Sequence, residues 1–321
     1  MKIFKILLVL LAIIAIPFLF SYQKPSTFQE KIIIIEKGET AFNIASKLKN
    51  QEIINNSYSF LVTAFLNNNL KNLQAGEYSL NSNMNNNEII EILSKGKTIK
   101  NRITIPEGWN NKEIAEYLEE KSLFKKQDVL DLINSNTLKI EEDNPPTLEG
   151  YLFPDTYLLE KNETLENTIK IILENFNKKL TSELKEDIKK QNKTIFEIIT
   201  MASLIEKEVI NYEDKQIVSG ILWKRIEAKM PLQVDASIMY ILSEKKQNIS
   251  IKDTKIDSPY NTYKYRGLPK GPICNPGIES IKAAIYPIKT NYWYYLSKPT
   301  KETVFSKTLE EHNINKNKYL K

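Results

Sequence analysis

The sequence predicts an α+β protein that is attached to a membrane and folds in two parts. Three observations support this prediction: an uncharged N-terminal run, a strand–helix pattern that occurs twice in the first half of the chain, and a series of helices after the proline break at Pro145 and Pro146. With 321 residues, 41% of them hydrophobic and 26% charged, the chain is long enough for two folded domains. We therefore expect a small α/β module followed by a larger mixed α/β domain.

The N-terminal run is the first element. It extends from Ile6 to Gln23 without a charged residue and follows Lys2 and Lys5. Its 18 residues lie near the lower limit of the ~17–25 that a membrane-spanning helix needs, and no small-residue cleavage site follows them. We predict an uncleaved single-pass anchor over residues 1–23 in the cytoplasmic (inner) membrane, with the lipid bilayer as its partner. A linker over 24–30 then leads to a body on the periplasmic or extracellular side.

The first folded module alternates strands and helices. A β-branched segment at Lys31–Glu36 predicts a strand, and Gly38 predicts the turn into a helix over about Thr40–Leu48. A helix at Tyr58–Leu66, a strand at Gly76–Leu80 and a helix that opens in the asparagine-rich cap Asn85–Asn87 and runs to about Ser94 follow. The order strand, helix, helix, strand resembles the LysM fold, a small module that binds N-acetylglucosamine polymers. A scaffolding role without glycan contact stays open, because strand–helix units of this size have many uses.

A second strand–helix unit, Arg102–Leu118, repeats the first with an offset of 70 residues. Six positions carry the same residue type in register, among them Gly38 and Gly108. Such a match argues for a duplicated unit. We predict a LysM-like domain over 31–98, a second strand–helix unit over 99–144 and a larger mixed α/β domain, the catalytic one, over 145–321.

Composition restricts the chemistry that the protein can perform. Its 45 basic and 40 acidic residues give a net charge of only +5 and are interspersed, which predicts no nucleic-acid partner. A Ser-His-Asp triad or a multi-histidine metal site would have to use the one histidine, His312, which lies in a charged segment predicted to be a solvated helix. The one cysteine, Cys274, is interpreted as a packed thiol. We therefore expect carboxylate chemistry without a metal or a cofactor.

A buried helix beginning near Ile195 carries the strongest candidate acid. Thr194 and Glu197 form a capping-box signature, and the residues that follow are apolar on nearly every face. Glu206 interrupts them. Its neighbours one turn away, Ala202, Ser203, Val209 and Ile210, predict a small, apolar face with no cation at those positions, and such burial favours the protonated form that a general acid needs. The alternative is that Glu206 pairs with a distant Arg or Lys, or reaches the surface. Glu208 lies ~200° away round the helix and is predicted not to share this site and to be dispensable for the chemistry.

The segment Ser258–Gly277 predicts a rigid loop. It holds four of the 13 prolines and three of the 9 glycines of the chain. We expect it to present Asn261, Tyr263 and Asn275 without a large ordering cost on binding. Tyrosine faces and amide side chains suit sugar rings, which offer apolar faces fringed by hydroxyl and acetamide groups. A purely structural loop that covers a sheet edge is the alternative.

Five segments together resemble one known family, the YceG-like (MltG) endolytic murein transglycosylases. They are LEGYLFPDTY (148–157), ASLIEKE (202–208), LQVDASIMY (232–240), SPYNTYKYRGLPKGPICNPG (258–277) and FSKTLEEHN (305–313). In that family the first Glu of the ASLIEKE-type segment is the catalytic acid, and this position falls on Glu206. The chain departs from the family pattern at Ala236 and Lys270, where proline is usual.

The resemblance implies a lyase that cleaves the bond between N-acetylmuramic acid and N-acetylglucosamine in nascent peptidoglycan glycan strands. The products would be 1,6-anhydro ends, which terminate strand elongation, with Glu206 acting first as acid and then as base. Cell-wall synthases are candidate partners. The rival readings are a hydrolase that uses Glu206 with Asp235 and a non-catalytic glycan-binding scaffold. We expect Gln233, Asn261, Tyr263 and Asn275 to bind substrate, and Glu149, Asp155, Tyr157 and Asp235 to orient the site.

Overall fold

The computed structural model describes residues 30–135, 137, 138, 140, 145–242 and 249–320. The predicted anchor and nearly all of the predicted linker lie outside these residues. Within the described part of the chain, no helix combines the length and the hydropathy that crossing a bilayer requires. The helices and small sheets agree with the predicted α+β class, whereas the LysM resemblance stays a prediction.

The chain forms two compact units. Of the described residues, the first unit takes those up to Arg102 together with Leu158–Glu163, and the second takes Ile103–Tyr157 and Thr164 onwards. The chain therefore passes between the units three times. The domain boundaries predicted near residues 98 and 144 stay predictions.

The first unit has the predicted order of strands and helices. Its elements are β1 (Glu30–Ile35), α1 (Ala41–Asn50), α2 (Ser57–Leu66), β2 (Gly76–Asn81) and α3 (Asn86–Ser94). Strands β1 and β2 pair antiparallel, with Ile33 opposite Tyr78 and Ile35 opposite Gly76. Because side chains alternate along a strand, Ile33, Ile35, Tyr78 and Leu80 face the core and join Phe60 of α2 there. Asparagine side chains cap α2 and α3, as predicted for α3.

The second unit is mainly helical. Strand β3 (Lys100–Thr104) pairs with β4 (Thr156–Glu160), and the division between the two units passes through both strands. Within the second unit, β5 (Tyr294–Ser297) pairs antiparallel with β6 (Thr303–Ser306). The helices are α4 (Asn111–Glu120), α5 (Lys126–Asn134), α6 (Leu165–Lys179), α7 (Ser182–Lys190), α8 (Ile195–Glu208), α9 (Tyr212–Glu227), α10 (Asp235–Leu242), α11 (Ile278–Ile285) and α12 (Leu309–Tyr319). The predicted helix around Glu206 is therefore confirmed as α8.

Helix α8 lies at the centre of this unit. It packs against α7, α9, α10 and α11, and every residue from Ile198 to Ile205 is buried. The capping box between Thr194 and Glu197 is present, with both reciprocal hydrogen bonds formed. Because α8 is buried all round, the groups at its C-terminal end are held by several neighbouring elements at once.

The contact between α9 and the residues that follow α11 supplies a stability prediction. A Cβ atom added at Gly220 would lie 2.0 Å from the backbone carbonyl oxygen of Ile288, which a side-chain rotation cannot relieve. We expect Gly220→Ala to lower the free energy of unfolding by about 1–3 kcal/mol, measured by chemical denaturation. The control is Ser219→Ala, which removes a buried hydroxyl that has no hydrogen-bond partner among the described residues and should be neutral or stabilising. Equal stability of the two variants would contradict the prediction.

Candidate active site

An open cavity of about 1290 Å³ lies in the second unit, where the ends of α4, α8 and α10 meet β5 and α12. Its wall mixes tyrosine rings with carboxylates, amides and cationic groups, a composition suited to a sugar polymer. The acidic side chains on this wall are Glu113, Glu116, Glu149, Glu208 and Asp235, the tyrosines are Tyr240, Tyr260, Tyr263, Tyr294 and Tyr295, and the cations are Lys112, Lys207, Arg225 and Lys316.

Glu208, the last residue of α8, is the acid on this wall that combines partial exposure with a perturbed pKa. Burial and the neighbouring negative charge of Asp235 raise the pKa of Glu208 to about 7, against a smaller opposing effect of a hydrogen bond with Tyr295. At neutral pH this side chain is therefore divided between its acid and its carboxylate forms. A group in that condition can both give and accept a proton.

Glu149 is the second acid with a raised pKa on the cavity wall. It is buried, and its two carboxyl oxygens accept hydrogen bonds from the Asn111 backbone N–H at 3.1 and 3.3 Å, at the first residue of α4. The Tyr240 hydroxyl donates to it at 3.3 Å. Burial raises the pKa of Glu149 to about 8, so the residue is mainly protonated at pH 7. These bonds hold the Glu149 side chain in one orientation. The orienting role predicted for it stays a prediction.

Glu206 has different surroundings from those predicted. Its carboxylate accepts hydrogen bonds from the Ser280 hydroxyl at 2.6 Å and the Gly277 backbone N–H at 3.1 Å, at the start of α11. The Lys215 ammonium of α9 lies 3.5 Å from both oxygens. The Lys215 side chain is 3% exposed and the Glu206 side chain is 9% exposed. The positions one turn away carry no cation, but the alternative of a pair with a distant lysine is observed, because Lys215 reaches Glu206 from α9. Glu206 is not among the residues that line the cavity.

The two glutamates of the ASLIEKE segment thus face different surroundings, as the helical spacing predicted. Glu107 borders the Glu206 side, because burial and the Glu206 charge raise the pKa of Glu107. Asp235 borders the Glu208 side. The catalytic role predicted for Glu206 stays a prediction. Of the two glutamates, Glu208 is the one that lines the cavity.

Three of the other predicted site residues meet at the cavity beside Glu208. Gln233 is exposed there with a left-handed backbone (φ 56°), and its N–H is held by the Thr262 carbonyl at 3.0 Å. The Tyr263 hydroxyl donates to the Asp235 carboxylate. Burial and that carboxylate raise the pKa of Tyr263, which keeps its hydroxyl protonated as a donor.

The side-chain amides of Asn261 and Asn275 form hydrogen bonds with backbone groups of the protein. The Asn261 amide donates to the carbonyls of Thr254 and Ile256 at 3.0 and 2.7 Å, and its oxygen accepts from the Tyr263 N–H at 2.9 Å. Asn275 is fully buried and joins the Trp109 carbonyl (2.9 Å) to the Leu152 N–H (2.8 Å). These hydrogen bonds support the alternative of a structural loop, rather than substrate binding, for these two side chains.

Asp155 and Tyr157 also do not line the cavity. Asp155 accepts from Asn175 at 3.0 Å and pairs with Lys179 at 3.2 Å, and these groups hold the pKa of its carboxyl below the usual range although burial opposes them. The Tyr157 hydroxyl donates to the Phe153 carbonyl at 2.5 Å and accepts from the Asn175 amide of α6 at 3.2 Å. Both residues therefore tie β4 to α6.

His312 lies on the predicted solvated helix, α12, in which no residue is buried, but its own side chain is not fully solvated. It is half-buried, lines the cavity and stacks on Tyr294 with the ring centroids 5.3 Å apart. Arg225, 5.1 Å from the same tyrosine ring, donates to the carbonyls of Leu232 and Trp293. Arg225 and Tyr295 are thus cavity residues that the sequence did not reveal, and Glu208 is a cavity residue that was predicted to lie outside the site. The one available signal was the second glutamate of the motif.

Comparison with known proteins identifies the family. The sequence model of the YceG-like family matches residues 33–318. The chain belongs to the YceG-like family. It is 36% identical over 305 residues to the endolytic murein transglycosylase of Bacillus subtilis, covering 90% of this chain and 84% of that protein. It is 31% identical over 314 residues to the endolytic murein transglycosylase of Streptococcus pneumoniae, covering 88% of this chain but 57% of that protein.

A solved structure from the same family agrees with the fold. The crystal structure of a YceG-like protein of Listeria monocytogenes superposes with a TM-score of 0.61 at 33% identity, and the match covers 89% of this chain and 98% of that one. Within the described residues of this YceG-like chain, no group of three or more His, Cys, Asp or Glu side chains has an arrangement that could hold a metal ion.

Proposed function

We propose that this YceG-like protein is an endolytic lytic transglycosylase, a lyase that cleaves peptidoglycan glycan strands at the bond between N-acetylmuramic acid and N-acetylglucosamine. Two relatives that match most of the chain carry the name endolytic murein transglycosylase. The observation that carries the proposal for this chain is Glu208: a partly exposed carboxyl on the wall of a tyrosine-rich cavity, with a pKa of about 7.

Glu208 is the acid that we propose for the reaction. Its protonated form donates to the glycosidic oxygen as the bond to the anomeric carbon of N-acetylmuramic acid breaks. The C6 hydroxyl of the same sugar then attacks that carbon, and the Glu208 carboxylate takes the hydroxyl proton. The product is a 1,6-anhydro end, no water is consumed, and one carboxyl group serves both steps. A glycosidase of the usual kind needs two carboxylates.

The surroundings of Glu206 favour Glu208 as the acid. The Glu206 oxygens accept hydrogen bonds from the Ser280 hydroxyl and the Gly277 N–H and pair with Lys215, and Glu206 is not among the residues that line the cavity. We propose a positioning role for Glu149 and substrate contacts for Gln233 and Tyr263. Glu206, predicted as the acid from the sequence, is the alternative that the same experiments test.

The products distinguish the lyase from its rivals. We expect the full-length protein in detergent to convert purified glycan strands to fragments that end in anhydro-muramic acid, which mass spectrometry separates from hydrolysis products by the mass of one water. Fragments that have gained water would instead support a hydrolase, for which the proximity of Asp235 to Glu208 supplies a second carboxylate. Glycan binding without cleavage would support the scaffold.

The pH dependence of kcat/KM identifies the acid. With a pKa of about 7, Glu208 loses its proton as the pH rises through 7, so we expect activity to fall on that alkaline side. The Asp235 charge raises this pKa and the Tyr295 hydrogen bond lowers it. Asp235→Asn should therefore move the falling limb to lower pH, and Tyr295→Phe should move it to higher pH. A limb that neither substitution moves would exclude Glu208 as the acid.

The proposal extends to the cellular setting. The uncharged run Ile6–Gln23 would hold the protein in the cytoplasmic membrane as a single-pass anchor, with both folded units on the outer side. There the enzyme would meet nascent strands beside cell-wall synthases and terminate their elongation. Flotation of the full-length protein with lipid vesicles, compared with a chain that starts after Gln23, tests the anchor independently of activity.

A further inference from the structure

Helix α2 of the first unit has an exposed apolar face. Tyr58, Phe65 and Leu66 are 68%, 66% and 60% exposed, and Leu61 and Val62 between them are partly exposed. These positions follow the spacing i, i+3, i+4, i+7, i+8, which places them on one stripe of the helix. The opposite side, with Phe60 and Ala64, is fully buried in the core. A helix that is apolar on both sides is expected to be covered on both sides.

The polar groups of α2 do not make its exposed face polar. The helix contains no charged residue. The hydroxyls of Ser57, Ser59 and Thr63 donate to the backbone carbonyls of Ala45, Asn56 and Ser59. The Tyr58 hydroxyl is thus the one polar group left to the exposed stripe. A glycan needs several hydrogen-bonding groups on its binding surface, so this stripe is not suited to one.

The position of α2 along the chain indicates what covers the stripe. Six residues separate Gln23, the last residue of the uncharged run, from Glu30, the first of β1, so the chain makes seven steps between them. They can span at most about 25 Å. The start of β1 lies beside the turn that leads into α2, because the Lys31 ammonium donates to the Gln51 carbonyl at 2.8 Å and pairs with Glu52 at 3.4 Å. An anchor in the bilayer would therefore hold the N-terminal end of α2 close to the lipid surface.

We propose that the stripe Tyr58, Leu61, Val62, Phe65 and Leu66 inserts into the outer surface of the bilayer in which the protein is anchored. The inference rests on the membrane anchor in the proposed function and does not depend on the lyase activity. An uncharged apolar helix face can enter the headgroup region without burying a charge. Tyrosine at its edge is a residue typical of that region. The contact fixes the first unit against the membrane.

The test uses the full-length protein carrying Leu66→Cys, labelled with an environment-sensitive fluorophore and reconstituted in phosphatidylcholine–phosphatidylglycerol vesicles. The native Cys274 is buried and burial raises the pKa of its thiol, so it should stay unlabelled in the folded protein. Lys95→Cys, an exposed position at the end of α3, is the matched control. We expect blue-shifted emission and strong quenching by nitroxide lipids at position 66 only, and loss of this quenching when Phe65→Ser is added.

The outcomes separate the inference from the proposals on which it rests. Protein that floats with the vesicles but is quenched equally at positions 66 and 95 would overturn the inference and leave the anchor standing. Protein that does not float would overturn both, while cleavage of purified glycan in detergent still reports on the lyase. Shielding of position 66 in native membranes but not in vesicles would assign the face to a protein partner and also overturn the inference.

Discussion

Glu208→Gln is expected to reduce cleavage of glycan strands by about 10²–10⁴-fold, because the amide can neither donate the proton to the leaving oxygen nor take one from the attacking hydroxyl. The substitution preserves the shape of the side chain at the end of α8. Substrate should therefore still bind, and the loss should appear in kcat rather than in KM. Steady-state digestion of purified glycan with quantified anhydro ends measures the effect.

Stability of the same variant provides an internal control. The pKa of Glu208 in the folded protein is raised to about 7 from an ordinary value near 4.5, so ionisation of this residue opposes folding. Its contribution to stability is complete below about pH 4.5 and is lost as the pH rises through 7. At pH 8 a neutral glutamine should therefore leave the Tm unchanged or higher. An inactive Glu208→Gln protein with a lowered Tm at pH 8 would point to misfolding and contradict the assignment.

Glu206→Gln is the matched variant on the same helix, two residues away. If Glu208 is the acid, Glu206→Gln protein that remains folded should keep a cleavage rate within about tenfold of the wild type, since Glu206 does not line the cavity. If Glu206→Gln alone abolishes cleavage in folded protein, the acid predicted from the sequence is correct. The two variants carry the same Glu→Gln change two residues apart, and only position 208 lines the cavity. A difference in their activity therefore reports on the cavity side of α8.

Local elements were predictable because their signals are local. The capping boxes at Thr194 and Asn85 and the strand–helix order in the first unit involve residues that are near in sequence. The pairing of strands involves distant segments. The second strand–helix unit resembles the first, but β3 pairs with β4, which lies more than 50 residues further along the chain. The duplicated sequence pattern carries no information on that partner.

The surroundings of Glu206 show the same limit at a site. Spacing identified the residues one turn away along the chain, none of which is a cation, although the helix ends at Glu208 and two of them lie beyond it. It could not show that Ser280 and Lys215 reach Glu206 from α11 and α9, 74 and 9 residues away in the chain. Loop composition had a similar weakness. Asn261 and Asn275 have side chains of a type that suits a sugar site, yet their amides donate hydrogen bonds to backbone carbonyls of the protein.

The buried pair of Glu206 and Lys215 leads to the second large expected effect, which is on stability. Lys215 is 3% exposed and 3.5 Å from the Glu206 carboxylate. Removing the negative charge with Glu206→Gln leaves a buried ammonium without this partner, and breaking such a pair typically costs about 3–5 kcal/mol. We therefore expect a much lower urea midpoint for Glu206→Gln, and little change for Glu208→Gln. The comparison isolates charge, because both substitutions are isosteric.

A double-mutant cycle tests whether the loss arises from the pair itself. Adding Lys215→Met removes the unpaired charge, so the double variant should regain part of the stability lost in Glu206→Gln, giving a coupling energy of about 0.5–3 kcal/mol between the two positions. Glu107, whose pKa is lowered by Lys215 and raised by Glu206, is the neighbouring acid that could replace Glu206 as the partner. Adding Glu107→Gln to the Glu206 variant should then increase the loss. Strictly additive effects in the cycle would show that Glu206 acts through its bonds to Ser280 and Gly277 and not through the lysine.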